Sequence, residues 1–150
     1  MSTSADGMNV RTSADMGVES PNIDSLDVWA YDVKKVEKPW GHELIWAVTD
    51  RYVGKVLHIK AGEKLSLQYH NQKDETVMVW AGRMTFEHYR DGESPQFRDM
   101  KPGDSFHVTP GLRHRMIAVE DTDVFEVSTT ELDDVVRLQD DYGRQGTSKA

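Results

Sequence analysis

The stretch that decides the fold reads GEKLSLQYHNQKDETVMVWAG over residues 62–82. Two segments within it, 64–69 and 76–81, are rich in apolar and β-branched side chains, and a polar turn at residues 71–74 separates them. Short runs of this kind bounded by turn residues predict β-strands. If the turn reverses the chain, the start of the second strand returns beside the end of the first.

The same pattern of short apolar runs separated by turn residues continues on both sides of this stretch. Ala61-Gly62-Glu63 and Pro102-Gly103-Asp104 are typical of tight turns, and Asp91-Gly92 predicts a hairpin. This spacing of short runs and turns is typical of an all-β sandwich or barrel. The predicted strands span residues 43–48, 53–60, 64–69, 76–81, 84–89, 96–99, 105–108, 114–120 and 124–130.

One short helix is predicted near the C-terminus, at residues 131–138. Apolar residues recur there at roughly helical spacing, and Thr130 is a candidate N-cap. The acidic pair Asp133-Asp134, with Asp140-Asp141 further on, is interpreted as solvated surface of this helix and of the C-terminal tail. The apolar positions are Leu132, Val135, Val136 and Leu138.

Composition limits the classes of function. The net charge is −8, from 18 basic and 26 acidic residues, so we expect no nucleic-acid partner. No apolar run approaches the roughly 20 residues that span a bilayer, so we expect no membrane partner. The chain has no cysteine, which excludes disulfides, thiol nucleophiles and cysteine-bound metals. The 150 residues, 37% of them hydrophobic, suit one globular domain.

The first 27 residues differ from the rest of the chain. They contain no aromatic residue and only Arg11 as a basic residue, against five acidic ones. Such a segment buries too little apolar surface to offset its ordering entropy, so residues 1–27 are predicted to be a disordered acidic tail and residues 28–150 the folded domain. The segment has neither a basic start with an apolar core nor an arginine-rich, acid-poor composition, so we expect a cytoplasmic protein.

Four polar side chains form a candidate metal site. Gln68 and His70 lie two apart on a predicted strand and therefore face the same side. Glu75 begins the next strand, and His114 opens another strand after the second segment, GDSFHVTPGLRH at residues 103–114. Two imidazoles, a carboxylate and an amide oxygen suit zinc, manganese, iron, cobalt or nickel. A set of polar barrel residues that satisfy one another is the alternative.

These two segments resemble the paired motifs of the cupin superfamily, whose members are small β-barrels with a metal near the barrel centre. The resemblance implies a single jelly-roll barrel for this chain. Three positions depart from the usual pattern: Gln68 stands where His is usual, Thr109 where Pro is, and Ala118 where Asn is. The first of these departures points to a particular branch of the superfamily.

Within the superfamily, Ser66-Leu67-Gln68-Tyr69-His70 resembles the Ser-x-Gln-x-His stretch of the mannose-6-phosphate isomerases, in which Gln, His, Glu and His bind zinc. The resemblance therefore implies a divalent metal, zinc first, held by Gln68, His70, Glu75 and His114. It also implies aldose–ketose isomerisation of a phosphorylated sugar.

The resemblance extends to the cupin half of bifunctional mannose-6-phosphate isomerase/mannose-1-phosphate guanylyltransferase enzymes. Lys38-Pro39-Trp40-Gly41 is similar to the start of that half, and VVRLQDDYGR at residues 135–144 is similar to its end. These 150 residues contain no counterpart of the nucleotidyltransferase half. Guanylyl transfer is therefore not predicted.

The resemblance implies roles for three further residues. Lys73 stands where the shorter zinc isomerases have a lysine in Gln-x-His-Pro-x-Lys, which implies a catalytic role; a solvated lysine in a polar turn is the alternative. Arg115 is similar to the His-Arg of the bifunctional enzymes and is a substrate-binding candidate, although strand alternation sends it to the face opposite His114. Arg144 is a second candidate if the C-terminal segment folds over the mouth of the barrel.

Two alternative functions stay open. Two histidines and one glutamate are also the ligand set of non-haem iron chemistry, which indicates a metallo-cupin oxygenase or lyase. A non-catalytic sugar-binding cupin is the other alternative, because Asn71-Gln72 replaces the His-rich stretch of the isomerases and Thr76-Val77 replaces their His-Trp. The superfamily resemblance further implies a homodimer.

Overall fold

Residues 33–90 and 94–147, the parts that the computed structural model describes, form twelve β-strands and no helix. The predicted tail at residues 1–27 and the turn Asp91-Gly92 lie outside them. In the described part, no helix is long and apolar enough to cross a membrane. The strands are β1 (Lys34–Lys38), β2 (Gly41–Val48), β3 (Val53–Ile59), β4 (Leu67–Tyr69), β5 (Glu75–Ala81), β6 (Met84–Tyr89), β7 (Gln96–Met100), β8 (Ser105–Val108), β9 (Arg113–Ala118), β10 (Thr122–Ser128), β11 (Val136–Gln139) and β12 (Gly146–Thr147).

The strands pair into two antiparallel sheets. Sheet A has the order β1-β2-β3-β10-β5-β8, and sheet B has the order β12-β11-β4-β9-β6-β7. Strand β10 lies between β3 and β5, so distant parts of the sequence alternate within one sheet, as in a jelly roll. The prediction of an all-β jelly-roll barrel is confirmed. The nine predicted strands correspond to β2 to β10, with ends that move by a few residues.

Alternating side chains fill the space between the sheets. On β5, Val77 and Val79 are fully buried, whereas Met78 is half-buried and Trp80 is 64% exposed. Successive side chains on a strand point to opposite faces, so each strand gives one row to the core. Phe86 of β6 is fully buried and joins this core from sheet B. At the start of β5 the inward position holds Glu75 instead, and the interior becomes polar there.

The predicted helix at residues 131–138 is wrong. Its first half is a turn, and its second half belongs to β11, which pairs with β4 and β12. Val136 lies opposite Tyr69, and Arg137 lies opposite Gln68. The β-branched valines of this segment favour extended backbone. Pairing with two neighbouring strands therefore outweighs an apolar spacing that suited two turns of helix.

Gly41 allows β2 to begin close to its neighbour β3. Its φ is +152°, and a Cβ at this position would lie 1.9 Å from the carbonyl oxygen of His58. Only glycine fits such an approach. The preceding Trp40 is 2% exposed, and its carbonyl oxygen accepts a hydrogen bond from the N–H of Lys60 at 3.0 Å. The Pro-Trp-Gly segment thus fixes a buried indole at one end of the barrel interior.

Candidate metal centre

Three polar side chains meet inside the barrel: His70, Glu75 and His114. The Nε2 atoms of His70 and His114 lie 3.3 Å and 3.5 Å from Oε1 of Glu75, and the three candidate ligand atoms lie within 4.8 Å of one another. None of these residues is more than 3% exposed. Ligand bonds of about 2.0–2.2 Å in a tetrahedral zinc site put neighbouring ligand atoms roughly 3.3 Å apart. The cluster is therefore able to hold one metal ion.

The orientation of both imidazoles is fixed by backbone carbonyls. Nδ1 of His70 lies 2.6 Å from the carbonyl oxygen of Asp134, and Nδ1 of His114 lies 2.8 Å from that of Leu112. A carbonyl only accepts, so each Nδ1 carries the proton and donates it, and in the neutral ring each Nε2 presents a lone pair. Both Nε2 atoms are buried without a hydrogen-bond partner among the described residues. Two lone pairs that face a carboxylate fit a bound cation.

Backbone pairing brings the two sequence segments together. Gln68 of β4 lies opposite His114 of β9 in the sheet register. The N–H of Gly111 donates to the carbonyl oxygen of His70 at 2.7 Å, and Gly111 has a φ of +85° that glycine adopts at little cost. The turn before β9 is thus bonded directly to the residue that follows β4, and this holds the two histidines side by side.

Asp134 organises the turn between His70 and Glu75. Its carboxylate accepts hydrogen bonds from three consecutive backbone N–H groups, at 3.0, 2.6 and 2.9 Å, which belong to Asn71, Gln72 and Lys73. Burial raises the pKa of Asp134, but these hydrogen bonds outweigh it and lower the pKa below its usual value. The interpretation of Asp134 as solvated helix surface is therefore wrong. The same interpretation of Asp140 is wrong too, because its side chain is buried in an ion pair with Arg144.

Gln68, the fourth predicted ligand, lines the same cavity as His70 and Glu75. Its Oε1 accepts a hydrogen bond from Oγ of Ser66 at 3.0 Å. Gln68 and His114 are cross-strand neighbours on β4 and β9. Its role as an amide ligand stays a prediction.

Lys73 is 5% exposed, so the alternative of a solvated surface lysine is wrong. Its Nζ lies 2.9 Å from Oε2 of Glu75 and 3.4 Å from Oε2 of Glu126. Burial lowers the pKa of Lys73, but the two carboxylates, Glu126 first, outweigh burial and raise the pKa above its usual value. The protonated lysine therefore holds Glu75 from the side opposite the imidazoles.

The carboxyl groups of Glu75 and Glu126 have pKa values that move in opposite directions. Burial raises the pKa of both. For Glu75, the Lys73 ammonium and, after it, the two nearby imidazoles outweigh burial, and the pKa lies well below its usual range. For Glu126, burial and the charge of Glu75 outweigh Lys73, and the pKa is raised. One carboxyl group is therefore kept ionised, while the other is suited to hold a proton.

The site opens into a cavity of about 540 Å³, counting the space at its mouth. Arg144 lines this cavity, and its guanidinium donates to the carboxylate of Asp140 at 2.9 and 3.1 Å. Arg115 is buried but does not line the cavity; its Nη2 donates to the carbonyl oxygen of Gln139 at 3.2 Å. Of the two arginines predicted to bind substrate, the structure thus brings only Arg144 to the cavity.

Five charged residues of the cavity carry no sequence-based prediction. Glu43 and Lys55 form a buried ion pair at 3.4 Å. The sequence does hold a signal for them, because a charged residue at an inward position between apolar neighbours, such as Lys55 between Val53 and Leu57, needs a partner or a polar cavity. The five residues are Lys38, Glu43, Lys55, Glu126 and Arg137.

A known family model matches the part of the chain that carries these motifs. Residues 55–129, half of the chain, match the cupin domain family. The protein is a cupin. The resemblance on which the metal-site prediction rests is therefore confirmed at the level of the family.

Two curated relatives show which branch this cupin is similar to. It is 33% identical over 116 residues to the mannose-1-phosphate guanylyltransferase of Escherichia coli (strain K12), a match that covers 74% of this chain and 23% of the relative. It is 31% identical to the xanthan biosynthesis protein XanB of Xanthomonas campestris pv. campestris (strain B100), over 74% of this chain and 24% of the relative. The cupin thus spans about a quarter of the length of the curated relatives it matches.

Solved structures agree with the jelly-roll fold of this cupin. KdgF from Halomonas sp. superposes with a TM-score of 0.56 at 24% identity, over 67% of this chain and 87% of that one. CapF, in a structure with the inhibitor 3-isopropenyl-tropolone, gives a TM-score of 0.62 at 17% identity, over 74% and 36%. Oxalate decarboxylase from Bacillus subtilis gives 0.62 at 16% identity, over 71% and 30%. These similarities support the fold.

Proposed function

We propose that this cupin is a metal-dependent sugar-phosphate isomerase of the mannose-6-phosphate isomerase type. The observation that carries the proposal is the buried convergence of two histidine lone pairs on Glu75, in a cavity that also holds Lys73 and Glu126. Similarity to a relative named for its action on mannose 1-phosphate supports a sugar phosphate as substrate. The similarity covers the cupin part of that relative.

His70, Glu75 and His114 would hold the metal, with Gln68 as the proposed fourth ligand. Zinc is the proposed ion, and manganese, iron, cobalt and nickel suit the same donors. A bound divalent cation supplies Lewis-acid stabilisation of negative charge on the sugar oxygens.

The chain's own residues supply the remaining chemistry. Isomerisation moves a proton between C1 and C2 of the sugar, so a group that can gain and lose a proton must lie in the cavity. Glu126 is the proposed proton carrier, because it is a buried carboxyl group with a raised pKa on the cavity wall. The protonated Nζ of Lys73, between Glu75 and Glu126, is proposed to orient both carboxyl groups and to stabilise developing negative charge.

An isomerase assay tests the proposal. The purified, metal-loaded protein is incubated with mannose 6-phosphate or fructose 6-phosphate, and their interconversion is measured. We expect turnover with at least one of zinc, manganese, cobalt or iron, and we expect His114→Gln to abolish it. His107→Gln is the matched control, because His107 is exposed and pairs with Asp74 at 2.6 Å outside the cavity. No interconversion with any of the four metals would refute the isomerase proposal.

The ligand set also supports a second candidate, a metallo-cupin oxygenase or lyase. Two histidines and one carboxylate form the facial triad of non-haem iron enzymes. Iron(II)-dependent oxygen consumption without sugar isomerisation would favour the oxygenase. Thermal stabilisation by mannose 6-phosphate without any product would instead favour a non-catalytic sugar-binding cupin.

We also propose that the protein is a homodimer that pairs through the outer face of sheet A. This face carries a row of half-buried apolar side chains, in which Phe125 lies opposite both Val56 and Met78. Trp80 stacks edge-on against Phe125 with ring centroids 5.5 Å apart and is 64% exposed. A contiguous apolar face of this kind is typical of a protein interface. The cytoplasmic location stays a prediction.

A further inference from the structure

Two cations of the cavity have no role in the metal centre. Arg137 lies on β11 and is 7% exposed, and its Nε is buried without a hydrogen-bond partner among the described residues. Lys38 is half-buried at the end of β1. Both side chains line the cavity that contains His70 and Glu75. A buried guanidinium nitrogen without a partner is costly unless a ligand completes its hydrogen bonds.

The charges around Arg137 and Lys38 leave a positive surplus. Of the nearby carboxylates, Glu43 pairs with Lys55 at 3.4 Å, and Asp140 pairs with Arg144 at 2.9 Å. Neither Lys38 nor Arg137 forms an ion pair with a carboxylate in the described part of the chain. Two positive charges therefore remain without a paired negative charge at one end of the cavity.

The sheet register places this surplus at a useful distance from the metal centre. Arg137 of β11 lies opposite Gln68 of β4, and Gln68 lies opposite His114 of β9. Neighbouring strands are about 4.8 Å apart, so the Cα atoms of Arg137 and His114 are roughly 10 Å apart. Arg137 and Gln68 of this row both line the cavity, so an anionic group held by Arg137 would lie in the same cavity as the candidate metal ligands.

We propose that Arg137 and Lys38 form a subsite that binds the anionic group of a sugar whose reacting carbons lie beside His70, Glu75 and His114. The second half of this statement rests on the proposed function; the anion subsite itself does not. Phosphate and carboxylate share the chemistry, because a guanidinium binds either through two parallel hydrogen bonds. Arg144, which is held by Asp140, borders the subsite and adds a third cation.

Mutual repulsion among these cations supports the subsite. Burial and, after it, the neighbouring charge of Arg144 lower the pKa of Arg137, although Asp140 and Glu43 oppose this effect. Burial also lowers the pKa of Lys38; the charge of Glu43 opposes this effect, and the charges of Lys55, Arg137 and Arg144 add to it. An anion bound among them would relieve both the repulsion and the missing hydrogen bond of Arg137.

Calorimetric titration tests the subsite, because it measures binding affinity and needs no turnover. The metal-loaded protein is titrated with mannose 6-phosphate, glucuronate and mannose. The variants are Arg137→Gln and Lys38→Met, and Arg115→Gln is the control because Arg115 is equally buried but lies outside the cavity. We expect each of the two cavity variants to weaken binding of the anionic sugar about 10- to 100-fold, the range for a hydrogen bond to a charged group. Binding of mannose and the metal content should not change.

Comparison of the affinities for the two anionic sugars shows which anion the subsite prefers. Tighter binding of mannose 6-phosphate than of glucuronate assigns the subsite to phosphate, and the reverse order assigns it to carboxylate. The proposal is overturned if the wild-type protein binds neither anionic sugar more tightly than mannose, or if only Arg115→Gln weakens binding. Lys38→Met keeps the test decisive if Arg137→Gln does not fold, because Lys38 is half-buried on an edge strand.

This outcome is independent of the isomerase assay. Loss of phosphosugar affinity in both cavity variants supports the subsite even if the protein does not isomerise the sugar. Unchanged affinity in a protein that does isomerise it refutes the subsite and leaves the proposed function intact.

Discussion

Asp134 holds His70 through two different groups. Its carbonyl oxygen accepts the Nδ1 hydrogen of His70 at 2.6 Å, while its carboxylate accepts the N–H groups of the three residues that follow His70. The first contact sets the tautomer of the imidazole, and the second sets the path of the chain from His70 to Glu75. The candidate metal centre therefore depends on a residue that lies 64 positions away from His70 in the sequence.

Replacement of Asp134 by alanine is expected to weaken metal binding 10- to 100-fold, the usual effect of removing a group that orients a metal ligand. The variant keeps the carbonyl contact but frees the turn at residues 71–73. Asp133→Ala is the control, because no hydrogen bond of the Asp133 side chain is found in the described part of the chain. Competition with a chelator measures both affinities, and equal values for the two variants would contradict this role.

Replacement of Glu126 by glutamine removes the proposed proton carrier and keeps its shape. We expect kcat for mannose 6-phosphate to fall about 10²- to 10⁴-fold, the usual contribution of general acid–base catalysis, with little change in metal content. Glu43→Gln is the control, since Glu43 is a cavity carboxylate paired with Lys55. A similar loss of kcat in both variants would show that Glu126 acts only through the charge balance of the cavity.

Asp140 is expected to make stability depend on acid pH. Burial raises the pKa of Asp140, but its hydrogen bonds with Arg144 outweigh burial and lower the pKa below its usual value. The unfolded chain, with a pKa of about 3.9, therefore binds the proton first, and stability falls as the pH drops through the lower pKa of the folded state.

Urea unfolding of Asp140→Asn measures this effect. Near neutral pH, the free energy of unfolding of the variant should be about 1.5–3 kcal/mol lower than that of the wild type, because the Asp140 carboxylate is fully buried in its ion pair. This difference should shrink below about pH 4. Asp141→Asn is the control, because the Asp141 side chain is 53% exposed. A loss in Asp140→Asn that stays constant down to about pH 3 would argue against a lowered pKa.

Replacement of Trp80 by glutamate is expected to convert the proposed homodimer into a monomer. A buried charge at the centre of an apolar interface costs more than the interface can supply. Phe97→Glu is the control, because Phe97 is 62% exposed on β7 of the other sheet. Light scattering after size-exclusion chromatography measures the mass; a wild-type monomer, or a Trp80→Glu dimer, would rule out pairing through this face.

Most of the fold could be predicted because its strands are local patterns. Most of strands β2 to β10 are short runs with apolar or β-branched side chains, and several of the turns between them contain a glycine such as Gly103. Strand β1 was missed because its sequence, KKVEK, is largely charged and lies at a sheet edge, where one side needs no apolar partner. Strands β11 and β12 are short and form only through pairing with one another and with β4.

The three clustered site residues could be predicted because motif spacing and strand alternation place them. His70 and Glu75 flank one turn, so their proximity is nearly local. The burial of Lys73 could not be predicted in this way, because it depends on Glu126, which lies 53 positions further along the chain. Arg137 was missed for the same reason, since its inward direction follows from the pairing of β11 with β4.

The two contacts of Asp134, through its carbonyl and its carboxylate, also affect when the site can form during synthesis of the chain. A nascent chain that has emerged only as far as β10 already contains His70, Glu75 and His114, yet its first imidazole has no carbonyl to set its proton and its turn has no carboxylate to hold it. Tight capture of an ion should therefore wait until the segment that contains Asp134 has also emerged from the ribosome.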